Sequence, residues 1–194
     1  ENNEHKEALL YGVTGSGKTE IYLQLIGKVL KKEKTAIVLV PEISLTPQMV
    51  DRFIARFGED KIAVLHSKLS IGERYDQWNK IKSGECKIVI GARSAIFAPV
   101  EKLGLIIIDE EHSLTYKQEN SPLYSAIDIA LYRAKTYNCP VILGSATPSI
   151  ESYTRAKNNI YELLEMKNRV NKNMPTVTLV DMKKEMKKRN FVFS

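Results

Sequence analysis

The stretch that most limits what this chain can fold into runs from Ala8 to Glu20. An apolar run, Ala8-Leu9-Leu10-Tyr11, breaks into Gly12-Val13-Thr14-Gly15-Ser16-Gly17-Lys18-Thr19-Glu20 and then continues with helical spacing. The glycines and the Gly-Lys-Thr triplet fit the G-x-x-x-x-G-K-[ST] pattern of a phosphate-binding loop. Backbone N–H groups that converge on a phosphate need left-handed turns and no Cβ in the way, which Gly15 and Gly17 provide. Lys18 brings a compact cation to the outer phosphates, and the Thr19 hydroxyl suits Mg²⁺. A helix starting near Lys18 aims its positive dipole end at the same anion. Residues 12–20 are therefore the candidate nucleoside triphosphate site, with strand, turn and helix imposed in that order.

The remaining chain repeats that order. Apolar strands are expected at Ala8–Tyr11, Thr35–Val40, Lys61–His66, Lys87–Ile90, Leu103–Ile108 and Val141–Leu143, with a short one at Ile160–Glu165. Helices are expected at Lys18–Lys31, Leu45–Phe57 (capped by Ser44 and stopped by Gly58), Ser70–Gly84, Tyr124–Tyr137 and Ser149–Lys157. Ser70 and Glu73 form a capping box. Continuous apolar runs between helices indicate a mostly parallel sheet covered on both faces, an α/β fold. The polar stretch Glu111–Pro122 is too polar for core and long for a connection, so it is a candidate functional loop.

Charge separates the chain into two parts. From 166 to 194 there are eight Lys or Arg against two carboxylates, which accounts for the whole formal charge of +6. Residues 1–165 balance, so they read as the folded unit, and 166–194 as a basic linker or the start of another unit. Thr176–Val180 alternates like one isolated strand. No run approaches about 18 apolar residues, so no membrane span is expected. Cys86 and Cys139 each precede a strand and form no C-x-x-C pair, which argues for buried reduced thiols and against zinc.

A triphosphate loop needs a metal partner and a base. The strand Leu103–Ile108 ends in Asp109-Glu110-Glu111-His112. A strand-tip carboxylate beside the phosphate loop can hold Mg²⁺, and the next one can take a proton from the attacking water. Asp109 is assigned to the metal with Thr19, and Glu110 to general base, with Lys18 as the second catalytic group. His112 and the small hydroxyl residues Ser145 and Thr147, in Gly144-Ser145-Ala146-Thr147-Pro148, are candidates for relaying the state of the acidic cluster.

With these motifs in place, the chain resembles the superfamily 2 helicases, and among them the bacterial primosomal replication-restart helicases. The resemblance is carried by Gly12–Glu20, by Pro41-Glu-Ile-Ser-Leu-Thr-Pro-Gln48, and by His66-Ser67 with Ser70, Gly72-Glu-Arg74 and Trp78. It continues through Gly91-Ala-Arg-Ser-Ala-Ile-Phe-Ala-Pro99, Asp109–His112, Tyr116-Lys-Gln118 and Gly144–Ser149, spanning about Leu9 to Ser152. It implies a RecA-like P-loop NTPase lobe with three α/β/α layers. It further implies ATP and Mg²⁺ as cofactors, 3′-to-5′ translocation on single-stranded DNA, unwinding of forked DNA, primosome partners and a bacterial cytoplasmic location. Strand-tracking contacts would come from Ser44, Thr46, Arg93 and Ser94, and a coupling loop from Tyr116 and Lys117.

Two departures stand out. Ala92 replaces the family's usual Thr, and Ser125-Ala126-Ile127 replaces a His-Ala-Arg sequence, so a hydroxyl and a cation are lost there. The resemblance also implies a second motor lobe with a catalytic arginine, a DNA-binding domain, zinc-binding cysteines and a glutamine-bearing stretch before the phosphate loop, all outside residues 1–194. Alone, this chain is expected to bind Mg-nucleotide weakly, hydrolyse it slowly and not unwind DNA. The alternatives are a lobe of another superfamily 2 DNA or RNA translocase, a self-contained small NTPase or kinase, or a non-catalytic interaction module.

Overall fold

The structure is a computed structural model that describes residues 5–170; the expected strand at Thr176–Val180 and the basic run lie outside the described residues. In chain order the elements are β1 (Glu7–Gly12), α1 (Lys18–Leu30), β2 (Thr35–Leu39), α2 (Pro47–Phe57), β3 (Ile62–Leu65), α3 (Ile71–Lys82) and β4 (Ile88–Gly91). They continue with β5 (Leu103–Asp109), β6 (Lys117–Gln118), β7 (Tyr124–Ser125), α4 (Ala126–Tyr137), β8 (Val141–Ser145), α5 (Ile150–Lys157) and β9 (Glu162–Met166).

Seven strands form one sheet in the order β3-β4-β2-β5-β8-β1-β9, and every pairing in it is parallel. Strand alternation divides the core. Leu105 and Ile107 face one side with Leu10 and Val38, where Tyr22, Leu23 and Ile26 of α1 and Phe53 of α2 cover them. Ile106 and Ile108 face the other side with Leu9 and Leu143, under Ile81 of α3, Ala130 and Ala134 of α4 and Ala156 of α5. This is the three-layer α/β/α arrangement expected from continuous apolar strands.

Local signals set most boundaries. Ser70 and Glu73 make both bonds of the capping box that opens α3. Gly58 and Gly84 adopt left-handed φ values of 89° and 76° where the chain leaves α2 and α3. Two expectations are corrected. Helix α2 begins at Pro47, not Leu45, and its cap is Thr46, whose hydroxyl accepts from Met49 N at 3.3 Å. Proline at the first helical position loses no needed N–H, and the preceding Thr46 holds the extended φ and ψ of a cap. Ser44 instead ends a short 3₁₀ turn, Glu42–Ser44. Helix α4 begins at Ala126, because Tyr124–Ser125 pairs antiparallel with Lys117–Gln118 and Ser125 becomes the cap.

The parallel register puts all functional turns at one end. Asp109 pairs with Gly144, Leu10 also pairs with Gly144, and Tyr11 with Ser145. The acidic turn, the 144–149 turn and the phosphate loop therefore rise from three adjacent strand tips, the usual ligand-binding edge of such sheets.

Candidate active site

Residues 13–17 leave β1 as a tight turn. Ser16 N donates to Val13 O at 3.0 Å, and Gly15 and Gly17 take φ values of 76° and 95°. Gly17 caps α1 without a side-chain bond, and the first N–H groups of a helix have no acceptor within it. The Lys18 ammonium is buried and donates to Gly12 O at 2.7 Å, which curls the side chain back over the loop. A left-handed glycine turn, a helix N-terminus and a buried ammonium make a fitting cradle for a phosphate chain.

The loop borders a cleft of ≈ 850 Å³ that also takes in Asp109, Glu110, Glu20 and the exposed face of α2. Asp109 closes β5, and Glu110 follows in the left-handed region at φ 48°, which is uncommon for a residue with a Cβ. That turn swings Glu110 to His112, whose Nδ1 lies 3.5 Å from Glu110 Oε2. His112 Nδ1 is also 2.7 Å from Ser145 Oγ, which accepts from Thr147 N at 3.0 Å. The three candidate coupling residues thus form one continuous path from Glu110 to the turn after β8.

Three further groups support the acidic turn, and of these only Tyr22 lies outside the motifs read from the sequence. Tyr22, on the buried face of α1, donates its hydroxyl to Asp109 Oδ1 at 2.8 Å. A Cβ at Gly144 would stand 1.7 Å from that hydroxyl, so only glycine lets Tyr22 reach Asp109. Burial first, then the Asp109 charge, raises the Tyr22 hydroxyl well above the ordinary tyrosine value and keeps it a donor. Tyr116, only 1 % exposed, donates to the Asp109 carbonyl at 2.6 Å. Burial likewise raises its hydroxyl. Glu111 is 2 % exposed and accepts from Ser149 N, Ser149 Oγ and Ser152 Oγ at 2.6, 3.0 and 2.8 Å, tying the acidic turn to α5. Tyr22 is invisible in the sequence as a site residue because it looks like an ordinary helix residue until the strands are ordered, whereas Glu111 belongs to the Asp109–His112 motif and only its tie to α5 comes from the fold.

The expected strand-tracking residues divide. Arg93, Ser94 and Lys117 line a second groove of ≈ 640 Å³, joined by Arg74, to which no role is assigned from its residue type or spacing. Arg93 already donates to Thr115 O and Lys117 O at 3.2 and 2.8 Å and lies over the Tyr124 ring, so it also fixes the 115–124 loop. Ser44 and Thr46 lie beyond that groove's lining, on the turn leading into α2. Tyr116 is the correction: its ring is core, and it supports Asp109 from beneath instead of offering a surface to DNA.

The family model described as DEAD/DEAH box helicase matches residues 2–156. The chain belongs to the DEAD/DEAH box helicase family. The matched residues include both the Gly12–Glu20 loop and the Asp109–His112 turn. The Replication restart protein PriA of Bacillus subtilis (strain 168) is 62% identical over 191 residues, which is 98% of this chain and 24% of that protein. The protein of the same name from Synechocystis sp. (strain ATCC 27184 / PCC 6803 / Kazusa) is 52% identical over 192 residues, 96% of this chain and 23% of that protein. The chain thus spans about a quarter of the length of these curated relatives. Among solved helicase structures, RecG bound to a three-way DNA junction matches with a TM-score of 0.64 at 22% identity, over 97% of this chain and 24% of that one. The Pyrococcus furiosus Hef helicase domain matches at 0.59 and 21% identity, over 85% of this chain and 35% of that one. Helicases of this family generally use ATP and Mg²⁺, and the cradle described above fits a phosphate chain. No helix among the described residues is long and apolar enough to cross a membrane.

Proposed function

We propose that this chain is the first, ATP-binding motor lobe of a DNA helicase that restarts replication at stalled forks in the bacterial cytoplasm. The observation that carries the reading is the Asp109–Glu110 strand tip sharing one cleft with the Lys18 phosphate loop. The 62% identity to a replication restart protein supports the biological setting. In that setting the whole protein translocates 3′ to 5′ on single-stranded DNA, opens forked DNA and meets other primosome proteins. Residues 1–165 form the lobe, and 166–194 lead on to the second lobe.

Each residue then has a task. The backbone of 13–17 and the Lys18 ammonium hold the phosphates. Thr19 and Asp109 would hold Mg²⁺, which neutralises phosphate charge when bound. Glu110, half-buried at the cleft and turned by its left-handed backbone, orients the attacking water and accepts its proton. His112, Ser145 and Thr147 pass the state of that carboxylate to the turn after β8. Arg93, Ser94 and Lys117 in their groove, and Ser44 and Thr46 on the turn before α2, contact the DNA backbone. The second lobe supplies the arginine whose charge on the transferred phosphoryl is worth roughly 10³–10⁵ in rate in related NTPases.

The test is Mg-dependent nucleotide binding by the 194-residue chain. Lys18→Ala and Asp109→Ala should abolish it. Glu110→Gln should retain binding while lowering turnover of the whole protein by about 10²–10⁴-fold. Robust DNA-stimulated hydrolysis by the 194-residue chain alone, lost in Lys18→Ala, would show that the site is complete without a second lobe and defeat that part of the reading.

A further inference from the structure

The nucleotide cleft has a wall that no phosphate-loop or acidic motif accounts for. Arg52 and Arg56 sit one turn apart on the exposed side of α2 and line the same cleft as Lys18, Asp109 and Glu110. Residues four apart on a helix share a face. Both guanidiniums are exposed, and among the described residues neither takes part in an ion pair. The neighbouring carboxylates do not claim them.

Charge balance gives the arrangement a purpose. The cleft is lined by three cations, Lys18, Arg52 and Arg56, and by three carboxylates, Glu20, Asp109 and Glu110. Without the two arginines one ammonium faces three carboxylates, and a triphosphate would enter a net negative pocket. A guanidinium is always charged and presents a planar fork of donors suited to phosphate oxygens. The helix that holds them is rigidly placed: Thr46 caps it, Pro47 fixes its first turn, and Phe53 anchors its inner face in the core at 0 % exposure.

We propose that Arg52 and Arg56 are phosphate-binding residues of this lobe, contacting the outer phosphates of a nucleoside triphosphate from α2, opposite the phosphate loop. The inference rests on the nucleotide-site reading above. It adds a pair of cations supplied by the first lobe itself. It also makes α2 a two-ended element, because its cap Thr46 lies in the Pro41–Gln48 stretch assigned to the DNA strand.

The experiment compares fluorescent ATP and ADP analogues, each with Mg²⁺, titrated against the 194-residue chain. The variants are the double substitutions R52A/R56A and R52K/R56K, with Lys18→Ala as reference. The expected result is an ATP Kd raised about tenfold in the alanine pair, a smaller rise for ADP, and substantial recovery in the lysine pair. Circular dichroism melting should be unchanged, since both side chains are exposed. Equal ATP and ADP affinities in wild type and R52A/R56A, with binding still lost in Lys18→Ala, would overturn this inference and leave the nucleotide site standing. Absence of Mg-nucleotide binding in the wild-type chain itself would overturn both.

Discussion

At the residue scale, Tyr22 shows how the site is held from below. Its ring is part of the core under α1, and its hydroxyl ends on Asp109. Tyr22→Phe keeps the ring and removes only that bond, so about 1–2 kcal/mol of stability should be lost, read as a lower urea midpoint. The bond also has a pH signature. The folded hydroxyl is raised above the ordinary 10.0, by burial first and the Asp109 charge second. A raised value means its contribution is complete below about pH 10 and is lost as pH climbs toward the folded value. Urea midpoints of the wild type should therefore fall as pH rises above about 10, and Tyr22→Phe should flatten the fall. A wild-type profile as flat as the variant's would remove Tyr22 from this role. Glu111 sits behind the acidic turn in the same way. Glu111→Gln keeps the shape, weakens three charge-assisted bonds, and should cost about 2 kcal/mol by denaturant unfolding.

At the element scale, helix α2 both tests the capping argument and shows what the sequence can reveal. The Ser70–Glu73 capping box could be read directly, because both partners lie three residues apart and the structure makes both bonds. The start of α2 is not set by periodicity, because Ser44 and Thr46 are both good caps and periodicity does not choose between them. Pro47 does: it fits the first helical position, which leaves the cap to Thr46. Thr46→Ala should then lower stability by about 1 kcal/mol in thermal unfolding, while Ser44→Ala leaves it unchanged. The reverse pattern would restore Ser44 as the cap. The inner strands were legible for a different reason. Strands buried on both faces are written as unbroken apolar runs, such as Leu105–Ile108, and need no partner to be recognised. What such runs cannot encode is strand order, and strand order brings Gly144, Tyr22 and Asp109 together. The phosphate loop and Asp109–Glu110 were readable because their chemistry is local. Tyr22, the bonds of Glu111 to α5 and the α2 arginines were not, because each acquires its meaning from an element far away in the chain.

At the scale of the whole molecule, an all-parallel sheet separates chemistry from stability by its two ends. The tips of β1, β5 and β8 carry the phosphate loop, the acidic turn and the 144–149 turn. The opposite end carries supporting contacts such as that of Arg155, which donates to the buried Tyr161 hydroxyl at 2.7 Å and lies over its ring. Substitutions at the two ends should therefore fail in different ways. Gly144→Ala drives a Cβ into the place of the Tyr22 hydroxyl, forces Tyr22 off Asp109, and should weaken Mg-nucleotide binding about tenfold along with some loss of stability. Arg155→Ala leaves the Tyr161 hydroxyl buried without its partner and should cost about 1–2 kcal/mol, with the nucleotide Kd changed less than about twofold. Measuring urea midpoint and nucleotide Kd on both variants gives each its own ratio of the two effects. If Arg155→Ala weakens nucleotide binding as much as Gly144→Ala does, the two ends are coupled through the sheet. The lobe then responds to nucleotide as one body, and its strand tips are not an independent site.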